Sequence, residues 1–232
     1  MERIRVRITF AESILGTAPN NEDVYRDYIG SKSPDASTIE EEVASLGVDE
    51  VAEKGMTVFP KDAEGRPILW DYQVKGFFKD SCGMLNRLSK KETVTDENGK
   101  TKTAKKPANE SSKLKAYKKE IDGLIFVQPR QISLCFKGEI GICQRPLRAQ
   151  TAQGERVALA MSEEVPAGTV CEFEVLCLDP DHLKAVREWL DYGELRGIGQ
   201  WRNSGRGRFL WDELDENGSI IGGNNNGRLK AA

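Results

Sequence analysis

The sequence predicts an α+β fold: a four-stranded antiparallel sheet in βαββαβ order, two helices on one face, and long insertions between the elements. Three observations carry this. Residues 3–10 alternate strictly, with Ile4, Val6, Ile8 and Phe10 against Arg3, Arg5, Arg7 and Thr9, the period of a half-buried strand with a cationic outer face. Residues 179–193 read as a capped helix, with Leu183, Val186, Trp189 and Leu190 as its apolar stripe. Between them, short apolar runs alternate with polar stretches. At 232 residues, 38% hydrophobic and 31% charged, the chain can bury a sizeable core beneath a charged surface. One domain is expected over 1–215, with insertions near 17–60, 89–119 and 138–168, and a disordered tail over 216–232.

After the first strand come turn signals at Gly16, Pro19-Asn20-Asn21 and Gly30. The stretch from Pro34 to Glu53 then carries seven acidic residues and no basic one, as a solvated insertion does. Asp62-Ala63-Glu64-Gly65-Arg66-Pro67 is a turn. Residues 74–88 space Val74, Phe77, Phe78, Leu85 and Leu88 as a helix, with Asp71 placed to cap it and Lys75 and Lys79 on its other side. From Arg87 to Lys119 there are eleven Lys/Arg and four Asp/Glu, with almost nothing to bury before Leu114. That stretch is expected as a long hairpin or a disordered loop. Leu124–Val127 and Ile132–Phe136 read as two strands around a Gln128-Pro129 turn, 138–168 as irregular, and Val170–Leu178 as a strand. In the second helix Asp179 is the expected N-cap, Pro180 the first helical residue and Gly193 the C′ residue. A glycine-rich loop, 196–208, leads into a last strand around Phe209–Trp211.

Charge and cysteine content narrow the function classes. Lys and Arg total 34 against 37 Asp and Glu, a net charge of −3, which argues against a protein basic all over. No apolar run reaches the roughly 18–20 residues of a membrane span, and the amino terminus has no secretory h-region. The five cysteines are scattered without a CxxC pair, and His182 is the only histidine. Reduced thiols in a cytoplasmic protein are expected, with no metal and no cofactor.

The most informative segment is Arg196-Gly197-Ile198-Gly199-Gln200-Trp201-Arg202-Asn203-Ser204-Gly205-Arg206-Gly207-Arg208. Gly197, Gly199, Gly205 and Gly207 allow close backbone approach and an anion-binding nest. Arg202, Arg206 and Arg208 suit phosphates, Trp201 suits a base or ribose, and Asn203 lies among them. A flexible connection with exposed charges has the same composition. The segment is not a P-loop, since Val94 stands where Gly99-Lys100-Thr101 would need an upstream glycine, and Gly197-Ile198-Gly199 follows a helix rather than a strand.

This G-h-G loop, with a second G-x-G running into a closing strand, resembles the carboxy-terminal signature of the RAMP superfamily (repeat-associated mysterious proteins). Asp62–Leu69 followed by Val74-Lys75-Gly76-Phe77-Phe78, Glu164-Val165-Pro166-Ala167-Gly168-Thr169 before Phe173-Glu174-Val175, and Ser13-Ile14-Leu15-Gly16 are similar to further motifs of that family, in family order. The resemblance is to the RNA-binding backbone subunits of CRISPR effector complexes. It implies a modified ferredoxin-like (RRM-like) fold and single-stranded, guide-like RNA held mainly through its backbone, with single-stranded DNA as the alternative. It also implies side-by-side assembly as a homo-oligomer or with other RAMP subunits. The residues it nominates are Lys75 on the first helix, Arg145 and Arg148 in the third insertion, and the glycine loop; Lys79, one turn on from Lys75, joins them as an RNA-binding candidate. Asp71-Tyr72-Gln73 departs from the family's Gly-Ser-Ser, and the overall acidity is atypical; both suit a divergent, stand-alone member.

Two alternatives stay open. A RAMP-type endoribonuclease would use His182 as general acid or base, or an acid in the loop after strand one, where Glu22, Asp23 and Asp27 lie. Its place in the first turn of the second helix favours an ordinary exposed helix residue. A protein-interaction module of the same fold is the second alternative. In an assembly, the acidic 35–53 run of one subunit would meet the basic 87–119 segment of the next.

Overall fold

A computed structural model describes residues 1–20, 56–95, 101–151 and 154–229. The acidic 35–53 run and Glu22, Asp23 and Asp27 lie outside them. Fourteen strands, three α-helices and two 3-10 turns are seen among the described residues. The central sheet is formed, from edge to edge, by Ile220–Gly223 (β14), Phe209–Leu214 (β13), Glu2–Phe10 (β1), Val170–Cys177 (β12) and Ile125–Gln128 (β8). All its pairings are antiparallel, with Ile8 opposite Cys171 on one side and Trp211 on the other. The alternation read in β1 is the alternation observed. Ile4, Val6, Ile8 and Phe10 are buried with Phe77, Phe78 and Trp189 of helices α1 (Asp71–Leu85) and α3 (His182–Arg196). Helix α2 (Tyr117–Leu124) adds Ile121 to this core. No helix among the described residues is long and apolar enough to cross a membrane.

Several expectations are corrected. Residues 138–168 are not irregular: β10 (Gly141–Thr151) and β11 (Gly154–Val165) form a long antiparallel hairpin. The short strands β2 (Ile14–Leu15), β3 (Ala18–Pro19) and β4 (Thr57–Val58) complete its sheet, ordered β10-β11-β4-β3 with β2 also on β11. Pro146 concealed the hairpin, but β10 is the edge of this sheet, where a missing N–H breaks no ladder. The two strands around Gln128-Pro129, a cis peptide, do not pair with each other. β8 joins the central sheet, and β9 (Gln131–Ser133) pairs with β5 (Ile68–Trp70). The basic segment begins as a hairpin, β6 (Ser89–Thr95) on β7 (Thr101–Pro107), whose register sets Lys90 opposite Lys106 and Lys91 opposite Lys105.

Both main helices start and stop elsewhere than predicted. α1 begins at Asp71 because Gln73 Oε1 accepts the Trp70 N–H at 2.7 Å, making Trp70 the N-cap. It ends at Leu85, leaving Leu88 exposed beyond it. In α3, Asp179 and Pro180 form a preceding turn, with the Asp181 N–H bonded to Asp179 Oδ1 at 3.0 Å, and Asp181 is the N-cap. Gly193 lies inside that helix, not after it. The Phe209 ring fills the space a side chain would need there, with Cζ at 2.3 Å from the Cβ position, and Gly197, at φ 72°, ends the helix instead. The tail, expected to be disordered from residue 216, is structured over 216–229. β14 pairs with β13, Asn224 and Asn225 donate to the Trp211 carbonyl, and Asn225 Nδ2 covers the buried Asp212 at 2.8 Å.

Candidate functional site

The glycine loop leaves α3 at Gly197 and folds back on itself. The Ile198 N–H bonds to the Gly207 carbonyl and the Gly207 N–H to the Ser13 carbonyl, each at 2.9 Å. A Cβ on Gly207 would sit 1.9 Å from the Ile198 oxygen, and one on Gly197 2.7 Å from the Arg206 oxygen. Both positions have positive φ, so glycine is needed twice over. The amides of Ser204, Gly205 and Arg206 also bond to carbonyls of the loop. The expected backbone nest is thus closed at these amides by the protein itself, and what the loop offers a ligand is chiefly side chains. Asn203 and Ser204, in a 3-10 turn (Arg202–Ser204), are exposed.

Five arginines converge here. Arg145, expected in an irregular insertion, stands on β10 with only 6% of its surface exposed. Its guanidinium lies 3.4 Å from the centroid of the Trp201 ring. Nη2 donates to Gln200 Oε1 at 3.1 Å and Ser162 Oγ at 3.4 Å, while Nε and Nη1 have no partner among the described residues. Burial draws its pKa below the usual value, with nearby Arg206 adding to the effect. Arg206 bonds to Ser13 Oγ and to Glu164 at 2.6 Å. Arg196 and Arg202 share Asp80 at 2.8 and 2.7 Å, and Arg196 also donates to Asn203 Oδ1 at 3.0 Å. Burial pushes the Asp80 carboxyl up, but the Arg196 hydrogen bond and both guanidinium charges outweigh it and hold it below its ordinary value. Arg208 is exposed at the loop's end. Among the described residues, five arginines therefore have two carboxylates, Asp80 and Glu164, and Arg145 and Arg208 have none.

Side-chain amides join this loop to its surroundings. Gln200 Nε2 donates to the Gly16 carbonyl at 2.8 Å, and Gln73 Nε2 on α1 donates to Thr17 Oγ1 at 2.8 Å. Trp201, at φ 54°, is in the left-handed region rarely adopted by aromatic residues. It lines a cavity of about 380 Å³ with Gly199, Arg202 and Asn203. A second cavity, of about 310 Å³, adjoins it through Gly199 and Arg202 and reaches Thr17 and Gln73.

The other nominated residues lie elsewhere. Lys75 Nζ donates to the Asp122 carbonyl at 3.1 Å and sits 5.1 Å from the Phe126 ring, while Lys79 pairs with Asp122 at 2.5 Å. Both lysines therefore face α2 and β8 rather than the loop. Arg148 is opposite Val157 on the β10–β11 hairpin. His182 is not exposed: it is buried, with Nε2 3.4 Å from Glu120 Oε2 and Nδ1 without a partner among the described residues. α2 covers it, an element no periodicity in the basic segment announced. Asp80 carries no sequence signal of its own, and the segments that hold Glu164, Gln73 and Gln200 do not announce their partners. Their partners are up to 184 residues away, and only the fold brings them together.

No family model matches this sequence, and no curated protein matches it. Solved structures with a similar course of the chain include a chain of the Type III-B Cmr-beta complex bound to cognate target RNA. The TM-score is 0.47 at 12% identity, covering 99% of this chain and 61% of that one. This chain thus spans about three fifths of that neighbour's length. A chain of a Type IV-B CRISPR complex aligns with a TM-score of 0.43 at 11% identity, covering 95% and 93%.

Proposed function

We propose that this protein binds single-stranded RNA along the groove beside the glycine loop, holding it by phosphate contacts to arginine and by stacking on Trp201. The observation that carries the reading is Arg145, a buried guanidinium that meets no carboxylate among the described residues, stacked on an aromatic ring where the described arginines outnumber the described acids by three. A buried charge lacking a counter-ion is costly, and a polyanion supplies one. The reading draws further support from the sheet order β13-β1-β12-β8 with α1 and α3 against it, read as a modified ferredoxin-like unit. The RAMP-like motifs of the sequence point the same way. Side-by-side assembly along the strand, as a homo-oligomer or with other RAMP subunits, belongs to the same proposal.

The test is fluorescence anisotropy with a labelled single-stranded RNA and the matching DNA at 50 and 200 mM salt. Three phosphates neutralised on a single strand give a salt slope of about −2, hence about a twenty-fold loss of affinity over that range. Arg145→Met should abolish most of the binding. Absence of binding at 50 mM salt, or full affinity in Arg145→Met, overturns the reading. The same RNA on a denaturing gel detects any cleavage.

A further inference from the structure

We infer that the groove ends in a second base-stacking station, Trp70 with Tyr72, so that the site takes a strand of several nucleotides rather than a single nucleotide. This rests on the reading of the groove as an RNA site and adds its extent. β5 passes directly into α1, which sets Trp70 at the N-cap and Tyr72 in the first turn. The turn is pinned by the Gln73 side chain and by the Asp71 N–H on the Arg130 carbonyl at 3.0 Å. The two rings lie 12° from parallel with centroids 6.2 Å apart, and Tyr72 is 60% exposed. The Arg130 guanidinium stands 5.7 Å from the Trp70 ring, as Arg145 stands over Trp201.

Continuity makes this a station on one track rather than an isolated patch. Trp70 and Tyr72 line a cavity of about 730 Å³, bounded by Pro19 and Pro60, that shares Thr17 and Gln73 with the middle cavity. The middle cavity shares Gly199 and Arg202 with the one beside Trp201. Three adjoining cavities thus run between two aromatic stations, each backed by an arginine. The cations concentrate at the Trp201 end, and the far end is aromatic with hydroxyl and amide groups from Thr17 and Gln73. Phosphates are favoured at the first and flat rings at the second, the alternation a single strand carries. Stacking tolerates any base, so this end adds affinity with little sequence readout.

The experiment crosses two variants with two oligonucleotide lengths. Trp201→Ala should weaken binding of both a uridine trinucleotide and a twelve-mer. Tyr72→Ala, at an exposed position, should weaken the twelve-mer about tenfold and leave the trinucleotide unchanged, with Tyr72→Phe restoring the loss. Melting temperatures of all three variants control for folding. Wild-type affinity of Tyr72→Ala for the twelve-mer, with Trp201→Ala impaired, overturns the second station and leaves the RNA reading standing. Equal loss on both lengths in Tyr72→Ala also overturns it, because the stations would not be separable. Failure of the unaltered protein to bind either oligonucleotide overturns the RNA reading itself.

Discussion

Arginines gather in two places in this molecule, on the outer face of the central sheet and around the glycine loop, and their surroundings differ. On the sheet, Arg3 pairs with Glu174 at 3.2 Å, and Arg5 and Arg7 pair with Glu172 at 3.2 and 2.8 Å. Each of these three cations therefore meets an acid, Glu172 or Glu174, on half-exposed surface. At the loop, among the described residues, five cations meet two acids, and the most buried of them, Arg145, meets none. Compensated surface pairs contribute at most about 1 kcal/mol each and leave little charge for a partner. An uncompensated buried cation destabilises the folded protein, and binding of an anion relieves that cost. The number of arginines in a segment is therefore a poor guide to where a polyanion binds; the count of nearby carboxylates is a better one.

Substitutions can break this contrast at either end. Gly207→Ala should have the largest effect, since its Cβ would meet the Ile198 oxygen at 1.9 Å and its φ of 69° disfavours any side chain. A loss of about 3 kcal/mol or more is expected by denaturant unfolding, collapsing the loop while the sheet arginines are untouched. Arg145→Met comes next. It should lower RNA affinity at least about tenfold yet leave stability unchanged or raised by about 1 kcal/mol, because a buried unpaired charge is replaced by an apolar chain. Combined loss of stability and affinity would mean that Arg145 is structural.

Asp80→Asn sharpens the contrast by releasing Arg196 and Arg202 from their shared acid, and RNA affinity should rise several-fold at 50 mM salt. Its pH signature has a definite sign. The folded-state pKa of Asp80 lies below the ordinary aspartate value of 3.8, so its stabilising contribution is present above about pH 4 and lost as pH falls through the depressed value. The acid-unfolding profile of Asp80→Asn should lack that component. Glu172→Gln should do least: under about 1 kcal/mol of stability, and no fall in RNA affinity, since it frees only solvated arginines.

Much of the central sheet was legible because β1 and β12 alternate cleanly, and a period of two is the mark of a strand with one buried face. The β10–β11 hairpin was not, since Pro146 reads as a strand breaker until its edge position is known. Helix α3 was legible in its stripe but not in its end, because Gly193 resembles a terminator and is in fact the seat of the Phe209 ring. The loop was legible as a site candidate from its composition. Its chemistry was not, because Asp80 and Glu164 reach it across 116 and 42 residues of chain. Arg145 was named from the resemblance alone; its burial against Trp201 is visible only in the fold. Lys75 was nominated on the same basis and Lys79 by its place one turn on, and Asp122 engages both.

The ordered tail has a practical consequence for anyone shortening the polypeptide. β14 occupies the free edge of β13, and Asn225 seals the carboxylate of Asp212. Trimming at the polar, glycine-rich run after Ser219 would bare a row of unsatisfied peptide groups beside Leu210 and Leu214, the kind of margin that recruits a neighbouring molecule into one continuous ribbon. A trimmed form that turned cloudy in the tube would therefore be reporting a lost hem, and would say nothing about nucleic acid.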